Sequence, residues 1–116
     1  MVKDVAFFAY SVKDVPAAIK FYRDVVGLKP GDMFSEHWAE FDVGATTFGV
    51  GNGTPLGFIP GNSTGAAFEV DNIAQLRDKL IEHDVTVTEL KEMPNCSVVF
   101  VTDPEGNKFA LHQRKK

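Results

Sequence analysis

The strongest constraint on the fold of this chain is that it repeats itself. Residues 7–15 (FFAYSVKDV) lie over 65–73 (GAAFEVDNI), so that Tyr10 meets Phe68, Val12 meets Val70, and two candidate helix caps coincide. Residues 38–50 (WAEFDVGATTFGV) lie over 97–111 (SVVFVTDPEGNKFAL), matching Phe41 with Phe100, Phe48 with Phe109 and Gly49 with Ala110. Each half reads as a strand, a helix and then two or three strands. Self-similarity of this kind marks a fold built from one repeated unit. A unit that small cannot bury both its helix stripe and its sheet alone. Two copies side by side give an α+β domain of eight strands and two helices. The expectation is two βαβββ modules forming a curved, mainly antiparallel sheet, with the helices on the outside and a cup on the other face.

Local signals place the elements. Residues 4–12 are β-branched and aromatic, and short enough for a strand. Asp14 offers a helix N-cap, Pro16 fits the first turn, and Val15, Ala18, Ile19, Tyr22, Val25 and Val26 recur at helical spacing. Gly27 suits a helix end. Residues 36–43 alternate, with Ala39, Phe41 and Val43 on one side and Trp38, Glu40 and Asp42 on the other. Residues 46–50 make a further strand after a turn at Gly44. In the second half, strands are expected at 65–70, 97–102 and 108–112. Asp71 or Asn72 caps a helix that carries Ile73, Leu76, Leu80 and Ile81 on one face. The stretch 51–64 (GNGTPLGFIPGNST) has the composition of a flexible connector. It still holds Leu56, Phe58 and Ile59, which would cap a pocket or an interface. The chain thus reads as one domain over 1–116, with module one at about 4–51, a linker at about 52–63 and module two at about 64–113.

Composition narrows the partners. At 116 residues the chain buries roughly two thirds of its unfolded surface. The net charge of −4 leaves no basic stripe for phosphates, so nucleic acid is not expected. The terminal RKK reads as a solvated tail. No stretch approaches the ~20 apolar residues of a membrane span, and residues 1–10 lack the pattern of a signal peptide. With a single cysteine, Cys96, no disulfide forms within the chain. A cytoplasmic protein is the expectation. There is no GxSxG, GxxxxGK[ST] or GxGxxG motif.

Three segments carry a resemblance. VKDVPAAIKFYRDVVGLK (12–29), AAFEVDNI (66–73) and VTDPEGNKFALHQ (101–113) resemble the module openings and closing strand of the glyoxalase, bleomycin-resistance and extradiol-dioxygenase superfamily, the vicinal oxygen chelate proteins. The resemblance covers the whole chain. It implies paired βαβββ modules and, for so short a chain, a homodimer. In metal-dependent members it implies a His on the first strand and a Glu on the last strand of each module. Carried over, those positions are Phe7, Gly65, Gly49 and Ala110. A divalent ion needs N or O donors converging at about 2.0–2.2 Å, and none of these four side chains has one. No metal and no other cofactor is therefore expected, and the metal-dependent mechanisms of the superfamily do not transfer.

What stands in place of the ligands implies a hollow. Phe7 contributes a ring, while Gly49, Gly65 and Ala110 remove side chains. Trp38 and Glu40 share the parity of the cup face, as does Glu69, and His112 lies two residues past Ala110. The expected ligand-binding set is Phe7, Trp38, Glu40, Thr47, Gly49, Gly65, Glu69, Ala110 and His112. An aromatic plane beside a carboxylate suits a cationic or polyhydroxylated organic ligand, drug-like or aromatic. The expected function is metal-free binding of a small molecule, without nucleic acid or membrane. Two alternatives stand beside it. One is a lyase-like or dioxygenase-like enzyme that uses displaced metal ligands or has Glu40 or His112 as general base. The other is a vestigial scaffold with an interaction role, its pocket filled by Phe7, Phe48 or Trp38. His37 reads as an exposed loop residue, and His83 as a favourable charge near a helix end.

Overall fold

The computed structural model describes residues 1–115. Lys116, the last residue of the RKK tail, lies outside them. The fold is α+β and is built from two βαβββ modules, as the repeat requires. In the first module, β1 (Phe8–Ser11) leads into α1 (Val15–Lys20), and β2 (Lys29–Phe34), β3 (Trp38–Val43) and β4 (Thr46–Gly51) follow. In the second, β5 (Ala66–Glu69) leads into α2 (Ile73–Glu82), and then come β6 (Thr86–Val87), β7 (Lys91–Glu92), β8 (Cys96–Thr102) and β9 (Lys108–Arg114). In place of the single eight-stranded sheet expected, the described residues form nine strands in two sheets, one per module. The orders are β1-β4-β3-β2 and β5-β9-β8-β6, with β7 also pairing β8; β6 and β7 are two short pieces where module one has the one strand β2. The pairs β1–β4 and β5–β9 are parallel, and the remaining pairs are antiparallel.

Capping follows the sequence. Asp14 Oδ1 accepts from the Ala17 N–H at 3.0 Å, and Asn72 Oδ1 accepts from the Gln75 N–H at 3.1 Å. Asn72 rather than Asp71 is thus the second cap. The first helix departs from simple 3.6 periodicity. Beyond Lys20 it widens into a π-helical segment over Phe21–Val26, ending with the Gly27 N–H on the Tyr22 carbonyl five residues back. The wider turn buries Phe21 and Tyr22 together, although they are adjacent in sequence. Gly27 then closes the helix at φ +94°, where a side chain is strained.

The strands differ from expectation in three places. The strand expected at 4–12 pairs only over Phe8–Ser11, opposite Phe48–Gly51 of β4, and residues 4–7 make no ladder pairing. β2 carries Pro30 and Gly31, which hide strand character, yet it pairs β3 as an edge strand where a missing N–H is tolerated. The repeat alignment also slips by one in the third strand. Phe41 pairs Phe48 on the core face, whereas Phe100 pairs Ala110 on the opposite face and Val101 takes the core place. A one-residue slip in a strand exchanges faces. The slip arises in the hairpin turns, where DPEGN is longer than the turn at Gly44.

One core serves both modules. The rings of Phe48 and Phe68 lie 5.3 Å apart, those of Phe68 and Phe109 5.4 Å, and those of Tyr22 and Phe109 5.7 Å. Phe48, Tyr22, Phe109 and Leu111 are fully buried. Burial of one such side chain contributes about 1.5–3 kcal/mol. A polar staple sits beside this core. The Tyr22 hydroxyl donates to Asp103 Oδ2 at 2.7 Å, and Asn107 Nδ2 donates to the same oxygen at 3.0 Å and to the Ser11 carbonyl at 3.1 Å. Asn107 Oδ1 accepts from the Gly61 and Ser63 N–H groups. Asp103 Oδ1 accepts from the N–H groups of Glu105 and Asn107. Glu105 reaches across to accept from the N–H groups of Lys13 and Asp14 at 2.7 and 2.9 Å. The DPEGN turn of module two is therefore bound to the strand, the helix and the connector of module one. Among the described residues no buried side-chain N or O lacks a partner.

The end of the chain is also held. Lys115 pairs with Glu92 at 2.7 Å, and Arg114 belongs to β9, so these two residues of the RKK segment are not a loose tail. No helix among the described residues is long and apolar enough to cross a membrane.

The staple carries a testable pH signature. Burial, with the Asp103 carboxylate beside it, pushes the Tyr22 hydroxyl far above the ordinary tyrosine range. A raised folded-state value means the stabilisation is complete below the unfolded tyrosine value of about 10 and is lost as pH rises past it. Tyr22→Phe is expected to lower stability by about 1–2 kcal/mol at neutral pH and to flatten the alkaline decline, as read by urea denaturation across pH. An alkaline slope identical to that of the wild type contradicts this role.

Candidate functional site

The strands turn one face to the core and the other away from it. On β3 the outward residues are Trp38, Glu40 and Asp42, and on β4 they are Thr47, Gly49 and Gly51. Register sets Trp38 opposite Gly51, Glu40 opposite Gly49 and Asp42 opposite Thr47. The indole of Trp38 lies across both glycines. A Cβ added at Gly49 would stand 2.3 Å from its Cη2, and one added at Gly51 would stand 2.6 Å from its Cε3. These two positions are side-chain-free because another side chain's ring occupies the space. The hollow expected at Gly49 is therefore filled.

Two further contacts fix the ring. Trp38 Nε1 donates to Glu40 Oε2 at 2.8 Å, and the Phe7 ring meets the indole edge-on, with centroids 5.6 Å apart and planes at 77°. The carboxylate of Glu40 is thus a partner of the indole. Phe7 itself is 53% exposed, which leaves most of its ring free for contact.

A groove of about 470 Å³ opens beside this group, bounded by Phe7, Ala9, Trp38 and Gly51 on the sheet side and by Leu56 and Phe58 from the connector. Its volume lies within the usual range of ligand pockets. The connector that supplies its second wall is anchored. Ser11 Oγ donates to the Phe58 carbonyl and accepts from the Gly53 N–H, both at 3.1 Å, while the Ser11 N–H donates to Ser63 Oγ at 3.0 Å. Thr54–Leu56 form a 3₁₀ turn closed by Gly57 at φ +89°. The stretch read as a flexible linker is an ordered arm that holds Leu56 and Phe58, 80% and 62% exposed, at the groove. Ser11, Ala9 and Gly51 escaped the sequence reading. The alternation of Gly49 and Gly51 on one strand face was the signal for a close approach.

The other expected residues assemble elsewhere. Glu69 and His112 are cross-strand neighbours on β5 and β9, with His112 Nδ1 2.5 Å from Glu69 Oε1. With the carboxylate accepting, Nδ1 carries the proton. Glu69 Oε2 also accepts from the Arg114 N–H at 2.7 Å. The Arg114 N–H first, and the His112 contact second, hold the Glu69 carboxyl below its ordinary range. Ala110 pairs Ala67 on one side and Phe100 on the other. Gly65 immediately precedes β5 at φ +102°, a conformation that accounts for glycine there. The predicted site therefore divides into a group of Phe7, Trp38, Glu40, Thr47 and Gly49 on the first sheet, and a group of Gly65, Glu69, Ala110 and His112 on the second. Among the described residues no hydrogen bond or ion pair joins them. His37 lines the groove rim near Trp38.

A metal held as the resemblance implies does not fit the residues present. Phe7, Gly49, Gly65 and Ala110 offer no donor, the space at Gly49 is taken by an indole, and a side chain at Gly65 meets an unfavourable backbone. Among the described residues no three His, Cys, Asp or Glu side chains converge in a ligating cluster.

Known proteins give this arrangement a context. A glyoxalase/bleomycin resistance protein from Streptomyces sp. CB03234 has a similar structure, with a TM-score of 0.81 and 26% identity over 95% of this chain and 100% of that one. TnmS3, an antibiotic binding protein from the same Streptomyces, reaches a TM-score of 0.83 at 25% identity over 98% of each chain. The metallothiol transferase FosB of Lysinibacillus sphaericus (strain C3-41) is 27% identical over 117 residues, spanning 96% of this chain and 82% of its own length. The model of one family matches residues 5–111. The chain belongs to the glyoxalase/bleomycin resistance protein/dioxygenase superfamily.

Proposed function

We propose that the protein binds a small, largely aromatic molecule without a metal, in the groove between Trp38 and the connector arm. One observation carries this reading. The positions that supply metal ligands in metal-dependent relatives carry no donors, while an indole held by Glu40 faces an apolar groove of about 470 Å³. The likeness to an antibiotic binding protein over nearly the whole chain supports it. Binding draws on burial of Phe7, Trp38, Leu56 and Phe58, all of them half-buried or exposed. Ring stacking on the indole adds about 0.5–1.5 kcal/mol, and a cationic substituent over its face adds a similar amount.

Trp38 is the chain's single tryptophan, so its emission reports on the site alone. Titration with naphthalenes bearing a hydroxymethyl or an aminomethyl group is expected to quench that emission saturably. Trp38→Ala, followed by calorimetry, is expected to weaken binding about tenfold or more. Absence of saturable binding across a wider set of planar aromatic compounds refutes the reading.

A second reading rests on the Glu69–His112 pair. An imidazole oriented by a carboxylate is the arrangement of a general base. Under this reading His112→Ala abolishes turnover of a substrate and leaves groove binding unchanged, and a substrate whose rate survives the substitution excludes it.

A further inference from the structure

The indole and any side chain at position 49 compete for one volume. That follows from the 2.3 Å and 2.5 Å approaches of Trp38 Cη2 and Cζ2 to a Cβ placed on Gly49, and from the 2.6 Å approach of Cε3 at Gly51. Both glycines are buried, and the indole is what covers them. The ring is therefore packed against bare backbone, meets Phe7 in a T-shaped contact, and has its N–H held by Glu40. These three contacts fix the ring's place on the strand. Trp38 also lines the groove.

We infer that Trp38, laid on the shelf of Gly49 and Gly51 and locked there by Glu40, is the specificity-determining surface of the groove and selects flat aromatic rings over saturated rings of the same skeleton. The inference rests on the small-molecule reading given above and adds to it the surface that selects the ligand and the basis of the selection. A flat ring meets an immobile indole in offset stacking or edge-on contact, and the ordering penalty on the protein side is already met by the shelf. A saturated ring is thicker and lacks the quadrupole, so it gains only its apolar burial. Glu40 enters as a positioning residue, because it touches the indole and acts on the ligand through it.

The test compares aminomethylnaphthalene with its fully hydrogenated decalin analogue by calorimetry, alongside the Trp38 emission maximum and its quenching by acrylamide. The wild type is expected to prefer the flat ring by about tenfold. Gly49→Ala is expected to expel the indole, shift its emission to the red, raise its quenching and abolish the preference by weakening the naphthalene alone. Glu40→Leu lies on the outward face and spares the core, so it carries the test where Gly49→Ala does not fold. It is expected to loosen the ring and lower the preference, and Glu40→Gln, which keeps an acceptor for the indole N–H, recovers most of that loss. Unmoved emission and unmoved preference in Gly49→Ala and Glu40→Leu overturn the inference. A wild type that binds both rings equally overturns the selectivity and leaves the small-molecule reading intact. A wild type that binds neither ring overturns the inference, and the small-molecule reading falls with it only where the wider set of planar aromatic compounds also fails to bind.

Discussion

The buried carboxylate of Asp103 is the interaction on which the remainder of the structure depends. It accepts hydrogen bonds from the Tyr22 hydroxyl, the Asn107 amide and two backbone N–H groups, and so ties the last hairpin of module two to the helix of module one. A carboxylate at 4% exposure is tolerated only when its lone pairs are satisfied in this way. The partnership extends through Asn107, wholly buried, to the Ser11 carbonyl and to the connector at Gly61 and Ser63. Ser11 then passes the constraint to Phe58 and Gly53 through its hydroxyl. The chain of hydrogen bonds runs from the core staple to the wall of the groove. The position of the groove's second wall is thus a consequence of how the two modules are joined.

The first sheet and the second put the same geometry to different ends. Register makes Gly49 the counterpart of Ala110, Glu40 the counterpart of Phe100, and Gly51 the counterpart of His112. In module one the outward face carries an indole lying on two glycines. In module two the equivalent face carries a small apolar row of Ala67, Ala110 and Phe100 beside a Glu69–His112 pair. Where the resemblance implies a metal at the meeting of these strands, this chain has an aromatic plane in one half and a carboxylate–imidazole hydrogen bond in the other. Under the proposed reading, the donor-free positions mark a change in the kind of recognition, from coordination to ring contact and apolar burial.

Much of this was legible from residues alone. The repeat set the module count, and local pattern set the helix caps at Asp14 and at Asp71 or Asn72 and the shared parity of Trp38 and Glu40. Local composition concealed other parts. Pro30 and Gly31 disguise an edge strand, and the second module's corresponding strand is broken into two-residue pieces at Thr86–Val87 and Lys91–Glu92. The π-helical segment at Phe21–Val26 depends on two adjacent rings both entering one core, which a 3.6-residue period does not describe. The connector reads as flexible because Gly, Pro and Asn dominate it, but its order comes from Ser11 and Asn107, which are distant in sequence. The indole's place on Gly49 and Gly51 depends on a side-chain rotamer and on Glu40, neither of which a pattern of residue types specifies.

The account's central claim is that recognition here needs no metal, and it is tested most directly by calorimetric titration of aminomethylnaphthalene into protein freed of metal with EDTA, repeated with added zinc or manganese. The account predicts the same affinity in both conditions and no tightly held equivalent of metal per chain. Binding that appears only with the divalent ion, accompanied by one ion retained per chain through dialysis, would contradict it.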